Sequence, residues 1–125
     1  MLQGILSQIE SWAKENKILE DTDLNNLLKQ LRLYKQGEWI YPGVLVRQIG
    51  MSVDKVYLIL EHLKKLGILE VNYEIYCHSC HQFEGSIYST ISKVPNNIEC
   101  ENCAGLLNKL DNTIVIYRVI NDGDC

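Results

Sequence analysis

The sequence predicts an α+β protein in which a helical first half precedes a strand-rich, cysteine-bearing second half. Apolar residues recur at three- and four-residue intervals from Leu2 to Leu66. From Ile68 the pattern changes to alternation, through residues 68–76 and again from Thr113 to Ile120. Two Cys-x-x-Cys hooks, Cys77-His78-Ser79-Cys80 and Cys100-Glu101-Asn102-Cys103, stand nineteen residues apart in the second half. Each hook aims two sulfurs the same way, so the pair supplies four thiolates to a tetrahedral ion. The expected ligands are therefore Cys77, Cys80, Cys100 and Cys103 around one Zn²⁺. Four sulfurs leave no open coordination position, so the ion is expected to be structural and not to activate water. A redox Cys-x-x-Cys belongs in a βαβ context that this sequence lacks. A pair of disulfides needs an oxidising compartment that nothing else in the sequence suggests.

At 125 residues the chain has room for one ordinary domain or two small ones. A composition of 46% hydrophobic and 22% charged residues is that of a folded protein, not a disordered one. No apolar run approaches bilayer-spanning length, and the first residues do not read as a secretory signal. With four of the five cysteines in hooks, the expected compartment is the reducing cytoplasm. The fifth, Cys125, is expected to be a free thiol. The formal net charge is −4. Four thiolates and one dication take it to about −6, a poor field for gripping a phosphate backbone. The acid is concentrated late. From Val71 onward only Lys93, Lys109 and Arg118 face Glu74, Glu84, Glu99, Glu101, Asp111, Asp122 and Asp124.

Taken in order, Leu2, Ile5, Leu6, Ile9, Trp12 and Ala13 make the stripe of an amphipathic helix ending near Asn16. A second helix, capped by Asp21 or Thr22, has Leu24, Leu27, Leu28, Leu31 and Tyr34 on its apolar face and is expected to end at Gly37. Pro42 suits the first turn of a short helix carrying Val44, Leu45, Val46 and Ile49. Gly50-Met51-Ser52 makes a turn with Ser52 as N-cap. A longer helix then buries Val56, Ile59, Leu60, Leu63 and Leu66, Gly67 closes it, and a strand follows.

Helix, short helix, turn, longer helix and strand form a helix-turn-helix with a wing. The run Leu45-x-x-x-Ile49-Gly50-x-Ser52-x-x-x-Val56-x-x-x-Leu60-x-x-Leu63-x-x-x-Gly67-Ile68-Leu69 resembles the winged-helix superfamily. In a DNA-binding member of that superfamily the outer face of the third helix would enter the major groove. Here that face carries Asp54, Lys55, Tyr57, Leu58, Glu61, His62 and Lys65. It has no arginine, and it mixes acids with apolar residues, a combination suited to a protein partner and not to a duplex. The residues expected to touch a partner are Lys55, Tyr57, Leu58 and Glu61, with Trp12 from the first helix. His62 reads as a solvated helix residue.

Beyond Cys80 a strand is expected over Gln82–Tyr88. Pro95, Asn96 and Asn97 then break regular structure before the second hook. Strand, hook, strand, hook and strand is the layout of a zinc ribbon, with His78 and His81 as bystanders to a complete sulfur shell. No flexible linker separates the wing strand from Cys77, so the ribbon is expected to be rigidly docked. The domains read as residues 1–20 (N-terminal helix), 21–76 (winged helix) and 77–125 (zinc ribbon). A winged helix followed by a four-cysteine ribbon resembles the alpha subunit of the archaeal and eukaryotic transcription factor TFE/TFIIE. It also resembles small bacterial winged-helix and zinc-ribbon proteins of defence and conflict gene clusters. The latter likeness rests on the wing entering Cys77-x-x-Cys80, the approach Pro95-Asn96-Asn97-Ile98-Glu99-Cys100, and Ile116-Tyr117-Arg118-Val119.

No Gly-rich phosphate loop, nucleophile elbow or open metal site appears in the sequence, so no catalytic residue is assigned and an enzyme is not expected. The expected function is a non-enzymatic adaptor or accessory subunit that binds a larger protein; the second resemblance implies an antiviral defence setting. The alternative is a DNA-binding regulator using Lys55, Tyr57, Lys64 and Lys65. No membrane partner is expected.

Overall fold

The computed structural model describes residues 1–123, so Cys125 and its expected free thiol lie outside the described residues. The chain is mixed helix and sheet and divides into two units. One unit comprises residues 1–70 together with the chain from Tyr117 on; the other is Val71–Ile116. In chain order the second unit is thus an insertion within the first, because the last strand carries the chain back.

The first unit opens with α1 (Gln3–Glu15) and α2 (Asp21–Arg32). Their stripes bury Leu6, Ile9, Ala13, Leu24, Leu27 and Leu31. Lys17 takes a left-handed conformation after α1, and the Ile18 N–H returns to the Ala13 carbonyl at 3.0 Å, satisfying a terminal acceptor. The α2 helix ends at Arg32 and not at the expected Gly37. Its end carries a cation: the Met1 ammonium donates to the carbonyls of Leu31 and Arg32 at 3.1 and 3.3 Å, and to that of Tyr34. That positive charge complements the negative end of the helix dipole, while burial pushes the amine's pKa below its usual value. Gly37 instead sits in the turn that follows, donating its N–H to the Val119 carbonyl at 2.7 Å.

A two-residue strand, β1 (Trp39–Ile40), comes next and has no counterpart in the sequence reading. Two residues are too few to show alternation. Then come α3 (Pro42–Ile49), with Pro42 at its start, and α4 (Val53–Lys65), with Ser52 at the N-cap position. Inward residues Leu45, Val56, Ile59, Leu60 and Leu63 are buried, whereas Leu66 is exposed, contrary to the expected inward face. Leu66 is the C-cap, where the helix has already stopped turning. Gly67, at φ +78°, closes the helix because a side chain is strained there.

Strand β2 (Leu69–Cys77) leaves the first unit and enters the second, and β6 (Thr113–Val119) makes the return. Between them lie β3 (Gln82–Tyr88), a 3₁₀ turn at Ile91–Lys93, β4 (Asn97–Glu99), β5 (Leu106–Asn108) and the single-turn α5 (Lys109–Asn112). One sheet has the order β1-β6-β2-β3, and β4 pairs with β5 in another. The β2–β3 register shifts between Glu74↔Ile87 and Tyr76↔Phe83, so β3 carries the extra residues, with Gly85 at φ +93° among them. The expected break at Asn96-Asn97 is corrected: a strand begins at Asn97, pairing Asn97, Ile98 and Glu99 with Asn108, Leu107 and Leu106. Three residues on each side of a tight turn satisfy one another's backbone groups, and propensity alone does not reveal that.

Candidate metal centre

Each hook forms the turn of an antiparallel hairpin. Cys77 is the last residue of β2 and pairs with Gln82, the first of β3; Glu99, just before Cys100, pairs with Leu106. The two turns share one backbone device: the residue after each second cysteine is left-handed, His81 at φ +58° and Ala104 at φ +57°. In the second turn the Ala104 N–H donates to the Cys100 carbonyl and the Cys100 N–H to the Gly105 carbonyl, both at 2.8 Å. Ala104→Gly is expected to stabilise the metal-loaded protein by about 0.5–1 kcal/mol, since alanine resists that conformation. A raised denaturation midpoint checks this.

The turns bring the four expected ligands together. The sulfurs of Cys77, Cys80, Cys100 and Cys103 all lie within 4.8 Å of one another, close enough to hold a metal ion. Two close approaches cross between hooks: Cys77 to Cys103 at 3.6 Å and Cys80 to Cys100 at 3.5 Å. Cys77 and Cys100 are buried, Cys80 is half-buried and Cys103 is exposed. The site therefore forms one flank of a small buried cluster in the second unit, made of Ile75, Cys77, Val94, Cys100 and Leu107.

Electrostatics separates the four thiols. The Cys80 backbone N–H, donating to the Cys77 sulfur, holds the Cys77 pKa down at about 6. Burial, followed by the neighbouring sulfurs, pushes Cys80 up to about 12. Cys103 is raised although the Gly105 N–H donates to its sulfur, because the Cys77 and Cys100 sulfurs oppose its charge. Four adjacent sulfurs do not all ionise without a cation among them, so metal loading displaces protons.

Three supporting residues escape the sequence reading. Gly105 is one: a Cβ there would stand 3.3 Å from the Cys103 sulfur. Asn112 is another: buried, it donates to the Tyr76 carbonyl at 2.9 Å, next to Cys77, and accepts from the Asn108 N–H at 2.9 Å. Asn108 in turn caps α5, its side-chain oxygen accepting from the Asp111 N–H at 2.8 Å. Only the position of Gly105, two residues past a hook, hints at its role in sequence. His78 and His81 stand outside the sulfur cluster: the His78 Nε2 lies 3.1 Å from the Asp111 carbonyl oxygen, and the His81 Nδ1 lies 3.4 Å from the Tyr76 hydroxyl.

The five residues expected to meet a partner lie in the first unit. Lys55 is exposed and Leu58 is 49% exposed, while Tyr57 is half-buried, its phenol pKa pushed up by burial. Glu61 accepts from the Tyr117 hydroxyl at 2.7 Å and pairs with Lys64 at 2.8 Å; first Lys64 and then Tyr117 hold its carboxyl below the usual range. Trp12 reaches from α1 to stack on His62, ring centres 3.8 Å apart and planes 3° from parallel. His62 is therefore not simply solvated: burial, then Lys65, lowers its pKa. Ser7, Ser11, Glu15 and Leu66 line a shallow groove around this pair.

Among the described residues no helix is long and apolar enough to cross a membrane. No family model, curated protein or solved structure matches the chain.

Proposed function

We propose that this chain is a non-enzymatic adaptor, stapled by one structural zinc ion, that binds a larger protein through the outward face of α4 and the adjoining end of α1. A tetrahedral ion with Zn–S bonds of about 2.3 Å sets its sulfurs about 3.8 Å apart. The cross-hook separations of 3.6 and 3.5 Å support that identity. Two hairpins that each present a hook at the turn support a zinc ribbon. The order α2, β1, α3, α4, β2, with β6 placed between β1 and β2, supports a winged helix whose wing carries the ribbon as an insertion.

The observation that carries the choice of partner is the Trp12–His62 stack. Lys55, Leu58 and His62 follow one another along a single face of α4. At one end of this face Trp12 covers His62; at the other Lys55 shares a concavity with Lys14, Lys17, Ile18 and Leu19 of α1 and its following turn. A duplex approaching this helix would meet α1 at both ends. Lys64, one of the lysines a DNA reader would use, is already paired with Glu61. Beside the exposed Asp54, Lys55 and Lys65, the helix and its C-cap keep apolar residues in solvent, among them Leu58 and, at 45% exposure, Leu66. A protein partner gains by covering such residues, whereas a phosphate backbone does not.

Leu58→Asp is expected to leave the unfolding free energy within about 0.5 kcal/mol of the parent, because the side chain is half in solvent. The same change is expected to abolish co-purification with the larger protein partner, when the chain is expressed together with its neighbouring genes. A mobility-shift assay at low salt tests the rival reading, since even nonspecific duplex binding shows there. Retarded duplex would overturn the adaptor reading.

A further inference from the structure

The two most exposed large apolar residues of the described chain belong to the second unit, whereas the face assigned above belongs to the first. Leu106 is 86% exposed and Leu110 is 92% exposed. Leu106 projects from β5 on the side opposite the buried Leu107, as strand alternation requires. Its cross-strand neighbour is Glu99, and Glu101 stands in the hook between them. Leu110 lies on α5, between the half-buried Lys109 and the exposed Asp111. No hydrogen bond or ion pair holds the carboxylates of Glu99 and Glu101 among the described residues. Each leucine exposes nearly its whole side chain to water, which gains the fold nothing.

We propose that this outer face of the β4–β5 hairpin and α5 is a second docking surface, and that its occupant is a basic amphipathic protein segment: apolar anchors on Leu106 and Leu110, lysine or arginine on Glu99 and Glu101. Charge complementarity selects that occupant. Within Val71–Ile116 the acids Glu74, Glu84, Glu99, Glu101 and Asp111 face only Lys93 and Lys109. Four thiolates around a dication deepen the imbalance. A second copy of the chain would bring the same sign of charge to the contact, and nucleic acid or an anionic bilayer would be repelled. The surface shares no residue with the α4 face, so either assignment stands or falls alone.

The test uses the full metal-loaded chain and a synthetic eighteen-residue peptide of lysine and leucine in helical amphipathic order, with the glutamate–leucine peptide of the same pattern as its counterpart. By calorimetry at low salt the lysine peptide binds and the glutamate peptide does not. The double variant Leu106→Ser/Leu110→Ser weakens binding at least tenfold with an unchanged metal content and melting curve, because both side chains are already in solvent. Glu99→Gln/Glu101→Gln flattens the salt dependence. Leu58→Asp leaves peptide binding unchanged. Equal binding by the double serine variant would reduce the effect to general attraction and overturn the proposal. So would equal binding of both peptides, or a chain that self-associates through these leucines.

Discussion

Cys80→Ser is expected to strip the metal from the protein and unfold residues 71–116, while the helices of the first unit remain. Around the hooks, the second unit's buried cluster has five members among the described residues, and two of them are the cysteines Cys77 and Cys100. A segment of that size does not bury enough apolar surface to offset its lost chain entropy without a staple. On the zinc reading proposed above, a structural ion would contribute on the order of 10–16 kcal/mol, so the ion and not the core would decide whether this unit folds. The serine hydroxyl is a poor replacement for a thiolate, and Cys80 joins the first hook to the second through its 3.5 Å approach to Cys100. Elemental analysis is expected to fall from about one zinc per chain to a small fraction of that. Amides of β3, β4 and β5 are expected to lose their protection from hydrogen exchange.

The first unit pays a smaller cost, set by chain topology. With Val71–Ile116 unfolded, Glu70 and Tyr117 are joined by a loop of roughly 46 residues, whose closure costs roughly 3 kcal/mol. Protection in α1 to α4 is therefore expected to decrease but not to vanish. Normal metal content together with full protection of residues 71–116 would remove Cys80 from the ligand set. Chelation of the parent protein is expected to reproduce the exchange pattern of the variant.

The sequence showed whatever repeats with a period or pairs at a fixed spacing. The four cysteines, the inward leucines of α2 and α4, and Pro42 opening α3 were legible because each is specified by neighbours a few residues away. What remained hidden depends on partners far along the chain. The strand at Trp39 forms because Val119 bonds the chain beside it across a long separation, its N–H donating to the Glu38 carbonyl at 2.9 Å and its carbonyl accepting from the Gly37 N–H at 2.7 Å. The strand at Asn97 forms because a hook turns the chain back on itself at Cys100, overriding the poor strand propensity of its asparagine. Asn112 reads as an ordinary turn residue until Tyr76 is beside it. The same holds for the candidate partner face: Leu58 was visible as an apolar residue on a polar side, but its flanking by Trp12 of α1 and by Lys17 in the turn that follows is a product of tertiary packing.

Leu63→Ala is expected to cost about 2–5 kcal/mol, a large share of the roughly 5–15 kcal/mol that holds a domain together. Leu63 is fully buried in α4, together with Ile59 and Leu60. Truncation loses the transfer energy of the side chain and leaves a cavity that neighbours from a close-packed helical core fill only partly. Urea denaturation is expected to show a lowered midpoint with little change in slope, the sign of lost stability without a changed extent of unfolding. Zinc content is expected to stay at the parent level, since none of the four sulfurs belongs to this unit. A cost below about 1 kcal/mol would mean that α4 is not packed as described. The contrast with Leu58→Asp makes the measurement diagnostic. The two leucines stand five residues apart, about 140° around the same helix. Removing one is costly and charging the other is nearly free only if α4 presents Leu63 to the core and Leu58 outward. Two destabilised variants would place both leucines in the core and leave α4 no face for a partner.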